Sequence, residues 1–126
     1  MKILDTNAIL RFLLRDDVER ATSVRDAMEQ ETCFVPVEVL AEVVYVLSKT
    51  YKVERLLIQQ KLSGFIRDEN VQMLSQIVVE TALHYFGDTK LDFVDCLLIG
   101  YALIDGHQVF TFDKELQKHL PAPTQS

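Results

Sequence analysis

Met1-Lys-Ile-Leu-Asp5-Thr6-Asn7 opens the chain, and its reading decides the fold. The short apolar run Lys2-Ile-Leu-Asp5 predicts a buried first strand that ends on an acid. Thr6 and Asn7 are N-capping types, and Ala8 to Leu14 then carries helical spacing. The same succession repeats downstream. Asp16 or Asp17 starts a second helix that runs through Ala27 or Met28. Cys33-Phe-Val-Pro36 predicts a second strand, and Pro36 suits the first turn of a helix to about Thr50. Glu54 to Ile66 reads as a fourth helix and Val71-Gln-Met-Leu74 as a third strand. Ser75 or Gln76 opens a helix to Phe86. Asp92 caps another, which ends at Gly106. Gln108 to Phe112 predicts a fourth strand, followed by a short helix near Glu115. Strands alternating with helices give an α/β domain, its sheet mostly parallel.

The 126 residues fit one domain, read as 1–120, with Pro121 to Ser126 as a frayed tail. With 48% hydrophobic residues the chain has enough apolar surface for a core, which excludes disorder. A membrane span needs about 18 apolar residues or more, and Leu97 to Ile104 is the longest such run. An acid at Asp5 leaves no room for a secretory signal. Cys33 and Cys96 lie in apolar segments and read as reduced thiols, which places the protein in the cytoplasm. Acids outnumber bases by 19 to 13, a net charge of −6, which argues against a plain basic nucleic-acid binder.

Several acids stand where surface acids do not. Asp5 ends the first strand, and Asp113 follows the apolar run Val109-Phe-Thr-Phe112. Ligands of open α/β sheets bind beyond the carboxyl ends of the strands, although either acid alone also suits a helix N-cap. Glu38 and Glu42 are the only charges in Val37-Glu-Val-Leu-Ala-Glu-Val-Val-Tyr-Val-Leu47, a segment apolar enough to be buried all round. The helix dipole accounts for Glu38. A buried Glu42 needs a basic partner, a proton or a metal. In Asp92-Phe-Val-Asp95 the spacing suits a capping pair, and Asp95 opens an apolar helix. Gly100 within that helix allows close packing against the sheet or the Glu42 helix. The basic residues nearest these acids, Arg11, Arg15 and Lys114, suit either a solvated face or phosphate steering.

Taken in order, Asp5-Thr6-Asn7, Glu42 in an apolar helix, Asp95 in Asp92-Phe-Val-Asp95, and Thr111-Phe-Asp113 resemble the PIN domain across about residues 1–120. The chain size and Arg11-Phe-Leu-Leu-Arg15-Asp-Asp17 are similar to the VapC-type toxin nucleases of bacterial toxin–antitoxin pairs. The resemblance implies a single PIN-like domain with a mostly parallel four- or five-stranded sheet flanked by helices. It implies an acidic pocket of Asp5, Glu42, Asp95 and Asp113 holding one or two Mg²⁺ or Mn²⁺ ions, with Asp92 as a further acid. Asn7 and Thr111 match polar residues beside the metal, and Arg11 and Arg15 would join them toward substrate. Implied too are RNA as substrate, a cognate antitoxin, and a homodimer.

The residue chemistry is compatible with this. Converging carboxylates repel, and a hard divalent cation removes the repulsion. His84, His107 and His119 are isolated, so no zinc set is present. Asn7 stands where an aspartyl phosphatase places its acid, and no phosphate-binding glycine loop occurs. A Mg²⁺-binding interaction domain, or an RNA binder without turnover, remains open beside a nuclease. Setting aside Asp5, Glu42, Asp92, Asp95 and Asp113 leaves 14 acids against 13 bases. The excess charge is therefore local.

Overall fold

Parallel strands cannot be joined by tight turns, and this chain supplies helices as the crossovers. The computed structural model describes residues 1–122. Strand β1 (Lys2–Ile3) leads through α1 (Thr6–Leu14) and α2 (Val18–Gln30) to β2 (Cys33–Phe34). Helices α3 (Val37–Lys49) and α4 (Arg55–Ile66) then lead to β3 (Val71–Gln72). Beyond it come α5 (Gln76–Asp88), α6 (Phe93–Asp105) and α7 (Lys114–Gln117). The sheet order is β1-β2-β3, all parallel, with Lys2 opposite Cys33 and Cys33 opposite Val71.

The helices carry the core. Leu40, Val43, Val44 and Leu47 of α3 are buried in one continuous cluster with Ile58 and Leu62 of α4 and Leu83 of α5. α5 packs along both α4 and α6, while α3 packs on α1, α4 and α6. The helix ends follow their local chemistry. Asp17 caps α2 by accepting from the Arg20 amide at 3.0 Å, and Gly106 ends α6 at φ 73°, a left-handed conformation that glycine adopts without strain.

Four expectations need correction. The first strand is not buried: it is an edge, paired only to β2, and Ile3 is 67% exposed. Gln108 to Phe112 forms no strand, so the sheet has three strands among the described residues, fewer than the four or five expected. That segment bonds to its own neighbourhood instead, with the Gln117 side-chain amide donating to the Thr111 carbonyl at 2.8 Å. Its alternation turns Phe110 and Phe112 outward, 89% and 87% exposed. Helix α3 is not buried all round: Glu38, Glu42, Tyr45 and Lys49 share an exposed face, so Glu42 bears no burial cost and needs no partner on that account. Finally, Gly100 approaches α5. A Cβ there would lie 2.7 Å from the Val78 carbonyl oxygen, so neither the sheet nor α3 dictates the glycine.

Of the tail expected from Pro121 onward, Pro121 and Ala122 are exposed, and 123–126 lie outside the described residues. Among the described residues no helix is long and apolar enough to cross a membrane. Cys33 and Cys96 are free buried thiols, and burial pushes Cys96 up to about 11, far from a reactive thiolate.

Candidate functional site

Helix starts bring the acids into place. Asp5 follows the bond that ends the β1–β2 pairing, in which the Leu4 amide donates to the Phe34 carbonyl at 3.1 Å. It caps α1, its Oδ1 accepting from the Ala8 amide at 2.8 Å. The cap is therefore Asp5 rather than Thr6 or Asn7. Asp113 caps α7 in the same manner, its Oδ1 accepting from the Glu115 and Leu116 amides at 2.9 and 3.2 Å. Both capping bonds engage Oδ1, and among the described residues neither Oδ2 has a hydrogen bond or ion pair. Capping thus fixes each carboxylate and leaves one oxygen for a ligand, so the structural and the site reading of these acids coexist. Thr111 supports this geometry: its hydroxyl accepts from the Asp113 amide at 3.0 Å.

Asp92 occupies the N-cap position of α6 yet makes no side-chain cap bond, contrary to the capping role its spacing suggested. Asp95, one turn on, is half-buried. Burial raises its carboxyl above the usual range, and the charges of Asp113 and Asp92 raise it further. These three acids therefore share one field. Asp5 stands at the cap of α1, and Glu42 projects from the exposed face of α3. Among the described residues no three acid, histidine or cysteine side chains converge closely enough to enclose an ion.

The basic residues differ from one another. Arg11 is committed within the protein, donating to Asp16 at 2.7 Å and to the Tyr51 hydroxyl at 2.9 Å, with its side chain 15% exposed. That bond pattern takes its guanidinium out of phosphate steering. Arg15, at the end of α1, places its guanidinium 5.7 Å from the Phe12 ring centre and is exposed. Asn7 is exposed in the first turn of α1.

Tyr45, Ser48, Lys49 and Arg55 escaped the sequence reading. Tyr45, Ser48, Lys49, Arg55, Asp92 and Asp95 line a cavity of about 300 Å³ between α3 and the start of α6. Arg55 holds its wall: Nε donates to the Phe86 carbonyl at 2.8 Å, an Nη donates to the Leu91 carbonyl, and the guanidinium lies 3.7 Å over the Phe86 ring. This fixes the turn that delivers Asp92. An arginine in the first turn of a helix opposes the dipole, and that placement was the available signal for Arg55. Tyr45 had none, being embedded in an apolar run.

The PIN domain family model matches residues 2–120. The chain belongs to the PIN domain family. A curated relative, the VapC ribonuclease of Aquifex aeolicus (strain VF5), is 31% identical over 102 residues, covering 77% of this chain and 75% of that protein. No solved structure matches. In this PIN domain the α/β class expected from the order of the elements holds, with a parallel sheet.

Proposed function

We propose that this PIN domain is a metal-dependent endoribonuclease and the toxin of a type II toxin–antitoxin pair. The observation that carries the reading is the PIN domain match over residues 2–120, within which Asp92 and Asp95 line one cavity at the start of α6. Acids that repel one another in a half-buried site are what a cation would relieve. The similarity to a VapC ribonuclease supports RNA as the substrate.

The donor set fits Mg²⁺ or Mn²⁺. The donors are carboxylate oxygens without a histidine or cysteine among them, and Mg²⁺ takes one or two carboxylates and keeps several waters. Asp95 and Asp113 would hold it, with Asp5 offering the Oδ2 its cap bond leaves open, and Asp92 adding charge. Bound there, one or two such ions supply Lewis-acid stabilisation of phosphodiester hydrolysis. Glu42, on the exposed face of α3, would ligate a metal or accept a proton from the attacking water. Asn7 and Arg15 contact substrate, and Thr111 holds Asp113. A cognate antitoxin, a homodimer and a cytoplasmic location belong to the same proposal.

The test is cleavage of bulk RNA with Mg²⁺ or Mn²⁺, against EDTA, by the native protein and by Asp5→Asn. Asn also caps helices well, so circular dichroism should not change while cleavage is lost. Cleavage by Asp5→Asn overturns the site, and cleavage in EDTA overturns the metal. Mn²⁺ should also raise the melting temperature of the native protein, since at a hundred times its Kd it adds about 2.7 kcal/mol of stability.

A further inference from the structure

We infer that the cavity between α3 and α6 seats one base of a single-stranded RNA, with Tyr45 as its stacking platform and Lys49 on the adjoining phosphate. The inference deepens the nuclease reading and rests on it for the identity of the polymer. Tyr45 is 63% exposed, its ring on the open face of a helix whose other side is core. Aromatic faces hold splayed bases without needing their sequence. Lys49 lies one turn further along the same exposed face, and both residues line the cavity together with Asp92 and Asp95. An acidic site needs a cation close by to hold a polyanion. Arg11 is paired with Asp16 and Tyr51, and Arg55 uses its Nε and one Nη on two backbone carbonyls. Among the described residues Lys49 is therefore the cavity's cation with its ammonium free to reach a phosphate, while Arg55 adds a fixed positive charge behind it. Ser48, on the cavity wall, can reach a base edge or a ribose hydroxyl. At about 300 Å³ the cavity is at the lower end of ligand-sized pockets, enough for one base rather than several. Duplex RNA hides its base faces and would not use it.

The chain contains no tryptophan, so Tyr45→Trp creates a single fluorescent reporter. In an Asp5→Asn background with Mg²⁺, a short mixed-sequence single-stranded RNA should quench its fluorescence, and the same sequence as duplex should not. Absence of quenching by the single strand, or equal quenching by the duplex, overturns the inference. Steady-state cleavage gives a second reading. Tyr45→Ala should raise KM about tenfold or more with kcat little changed, and Tyr45→Phe should stay near the native value. Lys49→Ala should lower the salt slope of binding by about one. An unchanged KM in Tyr45→Ala also overturns the inference. A native protein that cleaves RNA, beside a reporter that stays silent, defeats the cavity alone. A reporter quenched by RNA, beside a native protein that cleaves nothing, supports the cavity and defeats the nuclease reading alone.

Discussion

Asp95 carries a cost in the folded chain when it is ionised. Its carboxyl titrates higher in the folded chain than in the unfolded one, through burial and through the charges of Asp113 and Asp92. Between the two values the folded state holds more protons, so stability falls as pH rises from the ordinary carboxylate range through the raised value. At pH 7 the ionised group works against the fold. Asp95→Asn should therefore melt a few degrees higher than the native protein in EDTA at pH 7, the gain narrowing toward pH 4, while RNA cleavage is lost. A lower melting temperature at pH 7 would show that Asp95 is structural. At this scale the sequence was informative where chain position alone assigns a role. Asp5 and Asp113 could be read from their places after apolar runs, and both stand at helix caps. Glu42 was read through burial, and that argument fails because its face is exposed. Tyr45 was hidden by its apolar neighbours.

Helix pairing explains what the glycines do. Gly100 stands where α6 meets the Val78 backbone of α5, and Gly64 in α4 has open space around it. Alanine should therefore act with opposite signs. Gly100→Ala must push two packed helices apart and should destabilise by about 1–3 kcal/mol. Gly64→Ala keeps its contacts, gains helix propensity, and should stabilise by about 0.5–1 kcal/mol. Chemical denaturation of both variants measures this, and a neutral Gly100→Ala would remove the close approach. The helices were legible because their caps and periodicity are local: Asp17, Gly106 and the α6 run were all readable. The fourth strand was not. Alternation in Val109-Phe-Thr-Phe112 is a strand signal, but a strand also needs a partner edge, which no local pattern encodes.

Across the whole molecule, helices dominate and the strands are only two residues long. The parallel α/β class followed from the order of elements, whereas the length of the ladder depends on contacts distant in sequence. The net charge of −6 divides in the same manner: outside the five proposed site acids the chain is nearly balanced, with 14 acids against 13 bases. The ladder has a kinetic consequence. Lys2 pairs with Cys33 and Cys33 with Val71, 31 and 38 positions apart, and each pairing must close a long loop for few hydrogen bonds. The α5–α6 pair meets through neighbours in sequence and can form early. Native-state hydrogen exchange should accordingly protect α5 and α6 amides more than Leu4, whose bond reaches Phe34. Equal or greater protection at Leu4 would contradict this. Since Asp5 follows Leu4 directly, the position of this acid depends on a long-range pairing, so local opening of the β1 edge would displace Asp5 while the α5–α6 pair stays intact.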